Sequence, residues 1–305
     1  MKTGIKFVTG ILKTGLVVLL ATPTMAQQKD TIGVAAIDVN SSVEQEAAKR
    51  GKTTEMKRTL ESLDNQLIDR LNASRKFQVI ARSDLEKLLR EQQLVGSGNV
   101  NQNDPNAAKS FKLAGVKYLL VTSIDDYQDM TQSANLADLG KTIHKRILRI
   151  SAIGKIYDTT SGKLLESANL QTTLTNITQI LNEVRVEGTL SDELSVNLAR
   201  TLAEKIANRV ADVIFPAKVL AKFDRQITIN RGDGGGVSVD QLWNVYAVGE
   251  ELKDPDTGEV LGRQEVLMGQ AKIISVQPKT STAELLEDRG VTVGSVLRIP
   301  QAQKP

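Results

Sequence analysis

Few side chains in this 305-residue chain could do chemistry. His144 is its one histidine, the residue type that titrates near neutrality and most often shuttles protons in general acid–base catalysis. It stands among Lys141, Lys145 and Arg146, with no cysteine in the chain and no Gly-x-Ser-x-Gly, so it reads as a surface histidine. Asp125, Asp126 and Asp129 follow an apolar run, at the strand end where α/β proteins often place ligands. Three carboxylates could hold a divalent cation for a metal-dependent hydrolase, but the same residues are common turn formers and no phosphate-cradling glycine loop accompanies them. Asp254-Pro255-Asp256-Thr257-Gly258 with Glu265 partly mimics a calcium loop, yet Glu259 stands where the loop needs glycine. A hairpin turn is the simpler reading. Arg231-Gly232-Asp233 matches an adhesion tripeptide, and Gly232 with Gly234 to Gly236 could cradle an anion. No Lys followed by Ser or Thr stands at nucleotide-loop spacing, so this too reads as a turn. No catalytic, cofactor-binding or metal-ligating residue is assigned, and the chain is read as no enzyme.

Composition narrows the field further. With no cysteine and one histidine, a disulfide framework, a thiolate zinc site, a cysteine nucleophile and a two-histidine metal site are all excluded. Hydrophobic residues make up 40% and charged ones 25%, the balance of a folded protein, while aromatics are only 3%. The formal charge of +3 invites a polyanionic partner. However, Lys2, Lys6 and Lys13 lie in a segment that continues with an apolar run from Gly15 to Ala21 and ends Thr24-Met25-Ala26, the pattern of a secretory signal peptide. Of 39 basic and 36 acidic residues, those three lysines leave 36 of each once the leader is cut after Ala26. Neither nucleic acid nor a small-molecule substrate is then indicated, and without cysteine there is no lipid anchor. Sequons begin at Asn40, Asn72 and Asn176 and matter only in a eukaryotic secretory pathway.

The elements that must position these residues can be read from periodicity. Thr31–Val39 is apolar and β-branched, a buried first strand. Asn40–Thr54 is polar. A helix over about Glu55–Asn72 carries the stripe Met56, Leu60, Leu63, Leu67, Ile68 and Leu71. Phe77–Ala81 is a second strand; Ser83 with Glu86 forms a capping box for a helix, and another starts at Asn103-Asp104-Pro105 and stops at Gly115. Tyr118–Ile124 is a third buried strand, Ile147–Tyr157 with Leu164–Thr173 a hairpin, and about Ser191–Ile214 a long helix ended by Pro216. From Lys218 onward, strand candidates at 226–230, 242–248, 250–253, 267–276 and 295–299 are separated by glycine-rich turns, with a short helical stretch near Ala283–Glu287. Trp243, the one tryptophan, reads as core. The expected fold is α/β, a mixed sheet with flanking helices, followed by a smaller all-β domain, barrel or sandwich. The expected divisions are a signal peptide at 1–26, an α/β domain at 27–216 and a β-domain at 217–305.

Residues Lys76–Tyr127, KFQVIARSDLEKLLREQQLVGSGNVNQND and AAKSFKLAGVKYLLVTSIDDY, together with Ile32–Asn40 and IGKIYDTTSGKLLES at Ile153–Ser167, resemble the CsgG family. Its namesake is the outer-membrane secretion component for curli fibres. The resemblance covers about Thr31–Pro216. The stretches Ile227–Gly232, Val237–Tyr246 and Lys253–Gly262 are similar to the C-terminal β-domain of the flagellar T-ring assembly protein. Together these resemblances imply an exported, periplasmic protein, outer-membrane associated or free, that supports assembly or secretion of a curli-like or flagellar surface structure. Its implied partners are envelope or outer-membrane assembly proteins, and copies of itself in a homo-oligomer. An oligomeric secretion pore of curli type is the alternative. Against the pore, Gln128–Lys141 shows no sustained alternation, and about Ala168–Leu190 has Leu170, Leu174, Ile177, Ile180 or Leu181, and Val184 at helical spacing, reading as strand end plus helix. No Phe or Tyr stands between Asn40 and Thr54, where the family's pore forms an aromatic constriction.

Overall fold

A computed structural model describes residues 29–81, 83–84, 115–136, 141–181, 190–258 and 260–300. The leader at 1–26, the body of the helix begun at Ser83 and the helix expected from Asn103 lie outside these residues.

The first sheet is mixed, as expected. Strand β1 (Asp30–Val34) pairs in parallel with β3 (Phe77–Ile80) on one side and with the start of β4 (Tyr118–Leu136) on the other. The two-residue β2 (Asp38–Val39) also pairs in parallel with β4. Strands β4, β5 (Lys141–Asp158) and β6 (Leu164–Leu181) are antiparallel, giving the order β3-β1-β4-β5-β6.

Helices α1 (Ser41–Lys49), α2 (Thr53–Ala73) and α3 (Leu190–Ile214) join one core with the β1, β4 and β5 side chains Ile32, Leu120, Ile124, Leu148, Ile150 and Ile156. In α2, Met56, Thr59, Leu63, Leu67 and Leu71 recur at three- and four-residue steps and are buried. In α3 an alanine row, Ala199, Ala203, Ala207 and Ala211, runs beside Leu198, Leu202, Ile206 and Val210, all within the core. Small residues at four-residue spacing let the helix approach its neighbours closely.

Four expectations for this half need correction. The polar stretch after Asn40 contains α1, because Val43 and Ala47, four residues apart, reach the core while Glu44 and Lys49 sit at the dipole ends that favour their charges. The third strand does not stop at Ile124 but continues to Leu136, and β5 begins at Lys141 rather than Ile147. The stretch after Ala168 is strand as far as Leu181, and 182–189 lie outside the described residues. Its helical spacing misled. Thr172, Thr173, Thr175, Ile177, Thr178 and Ile180 are β-branched, which favours a pleated backbone.

The second sheet is a closed barrel of six strands, in the order β10-β11-β8-β7-β12-β9. They are β7 (Ala217–Phe223), β8 (Gln226–Ile229), β9 (Leu242–Lys253), β10 (Val260–Val276), β11 (Ser281–Asp288) and β12 (Val296–Arg298). Strand β7 escaped the sequence reading, and the helical stretch near Ala283 is instead β11. Its alternation of buried Ser281, Ala283 and Leu285 with Glu284 and Leu286 has strand period. Trp243 is 1% exposed and fills this barrel with Val219, Ile227, Ile273 and Leu297.

Candidate functional site

The residues singled out for chemistry do not assemble into a reaction centre. Asp126 receives Arg149 Nε at 2.7 Å, while Asp125 accepts from Asn169 Nδ2 at 2.8 Å. The register slips between Ile124 and Asp126, so Asp129 pairs with Leu148 on the helix-facing side of the sheet. There its side chain is fully buried and takes both nitrogens of the Arg146 fork, Nε at 2.9 Å and Nη2 at 2.6 Å, with Lys52 Nζ from the start of α2 at 3.2 Å. Burial alone would raise this carboxyl, but the charge-assisted bonds from Arg146, with Lys52, outweigh it and hold it below the ordinary carboxylate range. Burial also pushes the neighbouring Tyr127 phenol up. The three carboxylates thus answer to different partners on different faces. Among the described residues no three acidic or histidine side chains converge as a metal would require.

His144 lies on β5, two residues before Arg146, with Nδ1 2.8 Å from Ser133 Oγ on β4. Asp254 Oδ1 accepts the backbone N–H groups of Asp256 and Thr257 at 2.8 and 3.0 Å, a turn closed on itself between β9 and β10.

The adhesion-like tripeptide has a structural task that its sequence did not disclose. Arg231 is 2% exposed and donates to Asp212 on α3 and to the carbonyl of Phe215, while Lys76 Nζ reaches the carbonyl of Asn230 at 2.7 Å. Arg231 thereby meets the carbonyl end of α3, where positive charge is favoured. Burial and the Arg231 charge lower the Lys76 pKa. The glycines after Arg231 serve contact. A Cβ on Gly234 would stand 1.8 Å from Ala73 O, and one on Gly232 would stand 2.2 Å from Gln277 O. This loop is a seam between the barrel and the helices.

What remains as a site is backbone. Among the described residues, strand β4 has neighbours β1 and β2 only as far as Ile124; the 12 residues from Asp125 to Leu136, about 40 Å of strand, pair there with β5 alone. Among the described residues β6 is the sheet's other edge along its whole length, crossed by Lys205 Nζ donating to the Gln171 carbonyl at 2.7 Å. Past the slip beside Ile124 the β4–β5 register is unbroken, and so is β5–β6 from Lys141↔Leu181 to Ile156↔Glu166. Thr131, Gln132, Ser133, Ala134 and Ile177 are exposed. No proline or bulge interrupts either edge over this stretch, and such edges are templates for another strand. Sequence reasoning missed this arm because it read both flanks as something other than strand.

The fold and this site define an α/β protein whose sheet is drawn out into a three-stranded arm and whose last helix leads straight into a β-barrel. A family model described as the curli production assembly/transport component CsgG matches residues 16–210, more than half of the sequence. The chain belongs to the CsgG family. No curated protein matches it. Similar solved structures include a hypothetical protein of Chlamydia trachomatis, at 12% identity over 61% of this chain and 98% of that one, with a TM-score of 0.36. A minor lipoprotein of Acinetobacter baumannii follows at 14% identity over 60% and 92%, TM-score 0.30, and a PelC dodecamer of Paraburkholderia phytofirmans at 10% over 57% and 86%, TM-score 0.24. Scores this low set no constraint on the function of this chain.

Proposed function

We propose that this is an exported, non-enzymatic protein of a bacterial cell envelope that supports assembly or secretion of a surface structure by binding other proteins, its own copies first. The observation that carries this reading is the arm. Its two open edges, β4 beyond Ile124 and β6, are complementary to each other, so β4 of one copy can pair with β6 of the next and the contact repeats head to tail. Membership of the CsgG family and the leader-like N-terminus support the envelope location. The likeness of the barrel's sequence to the T-ring assembly protein's C-terminal domain supports an interaction role for that half. Asp125, Asp126 and Asp129, each held by a different partner, offer no poised group for catalysis.

The chain has no cysteine, so paired substitutions report contacts without background. In Gln132→Cys/Ile177→Cys the two thiols lie two strand spacings apart within one copy, about 10 Å, too far for an internal disulfide. Oxidation should therefore give a ladder of linked copies, and a strictly monomeric product at high protein concentration would refute the arrangement. N-terminal sequencing of the native protein should begin at Gln27; an intact leader in a cytoplasmic fraction would refute export.

One observation favours the pore as a second reading. On the arm, Met130, Ala134, Ile143, Ile147 and Ile177 share one face, while Thr131, Ser133, His144, Arg146 and Asn176 share the other. That alternation suits a membrane strand, although Gln132, Lys145, Thr175 and Gln179 interrupt the apolar face. Purified oligomers that conduct ions across planar bilayers would establish this reading; detergent-free, non-conducting oligomers would remove it.

A further inference from the structure

The barrel carries a second open edge, and this one opens into a cleft. Strand β12 accompanies β9 only from Arg298↔Asn244 to Val296↔Tyr246, and the chain before it turns aside at Thr292–Ser295, tied to β7 by Gly294 N–H to the Val219 carbonyl. Beyond Tyr246, β9 continues to Lys253 with β10 on one side and no strand on the other among the described residues. In that gap is a cleft of about 600 Å3, lined by Pro216, Lys218, Val248, Arg263, Val293 and Val296 among others. The size falls within the roughly 300–1,000 Å3 of ordinary ligand pockets.

Its chemistry is uneven in a useful way. The apolar lining suits alternate side chains of an extended segment, whose backbone would complete the β9 edge as β12 does lower down. The acid in the lining, Glu265, is neutralised by the Arg298 fork at 2.6 and 2.9 Å. Lys218 has no ion pair among the described residues, and Arg263 has only Glu251 at 3.4 Å, with both of those side chains about half exposed, a contact of little energetic weight. Within its lining the cleft therefore presents two available cations around an apolar floor, with the exposed Glu250 and Glu251 farther along β9 and outside the lining.

We propose that this cleft binds an extended, acidic segment of a partner protein, which adds a strand to β9 beyond Tyr246 and places its carboxylates against Lys218 and Arg263. The arm of the first sheet takes no part in this contact.

Two labelled synthetic peptides, one alternating valine with aspartate and one alternating valine with lysine, test it against the full chain by fluorescence anisotropy. The aspartate peptide should bind at least tenfold more tightly than the lysine peptide. Its binding should slow hydrogen exchange at Ala247–Glu251. Lys218→Glu/Arg263→Glu, both exposed positions, should invert the preference, and Lys218→Gln/Arg263→Gln, which sets no like charge opposite Glu251, should abolish it with the melting temperature little changed. Val293→Lys, at a position 63% exposed, should weaken both peptides by obstructing the cleft. Failure of both peptides to bind, equal affinity for the two, a preference unchanged by the charge reversal, or protection located elsewhere would each overturn the proposal.

Discussion

Arg231 of the barrel and Asp212 of α3 form an ion pair across the seam between the two sheets, 2.5 Å from Nη1 to Oδ1, with the arginine side chain 2% exposed and the aspartate 35%. Removing one partner of a buried pair strands the other. Because Asp212 retains access to water, Arg231→Ala should cost about 2–3 kcal/mol, short of the full buried-pair penalty. The loss should fall on the seam, so the single melting transition should split. Trp243 emission reports the barrel and far-ultraviolet circular dichroism the helices, and the two curves should separate in the variant while coinciding in the native chain.

Gly234 makes a second, sharper test of the same seam. An alanine there would bring its Cβ to 1.8 Å from Ala73 O, a backbone atom that cannot rotate away. Gly234→Ala should therefore open the seam and leave the loop beside α2 susceptible to limited proteolysis. Gly258, with φ +70° and open space for 4 Å around the place an added methyl would take, is the control. Gly258→Ala should cost about 1–2 kcal/mol through backbone conformation alone, with no change in proteolytic pattern.

Asp129 fixes the root of the arm to α2. Its carboxyl is held below its ordinary value, so its contribution is complete above the unfolded value, about pH 4, and is lost as pH falls through the lower folded value. Asp129→Asn leaves Arg146 without its counter-charge and should cost about 2–3 kcal/mol at pH 7. Melting temperatures measured from pH 7 to pH 2 should show the native chain's advantage over the variant shrinking only below about pH 4. An advantage that stayed constant through that range would mean the charge of Asp129 is not what holds the arm.

Trp243 fills the barrel, and Trp243→Ala should cost about 3–5 kcal/mol by leaving a cavity. Phe223, also a large aromatic, is 86% exposed at the β7–β8 turn, so Phe223→Ser should change the melting temperature little. Chemical denaturation of the two variants side by side checks both.

The sequence-legible parts of this molecule are those in which burial writes a period. The α2 stripe, the α3 stripe, the runs at β1 and at the start of β4, and the core position of Trp243 all follow from one apolar face seeking cover. The arm was illegible for the converse reason. From Thr131 to Ala134 the side chains of β4 are exposed on both faces, so burial writes no period there. In β6 the β-branched composition competes with leucines and isoleucines that fall by accident on helical spacing. Arg231 was hidden differently: nothing local distinguishes an arginine in a glycine-rich turn from one that reaches 19 residues back along the chain to Asp212. The slip beside Ile124, which turns Asp126 away from the helices and Asp129 toward them, is likewise a property of pairing and has no mark in the run of aspartates.

Only Phe215 and Pro216 separate the end of α3 from the first barrel strand, and the ring of Phe215 lies 5.4 Å from that of Phe77 on β3. With so short a joint, clamped on both sides, the barrel has no swivel of its own. A load applied to it passes as torque through α3, which lies along β5 and β6, and arrives at the arm.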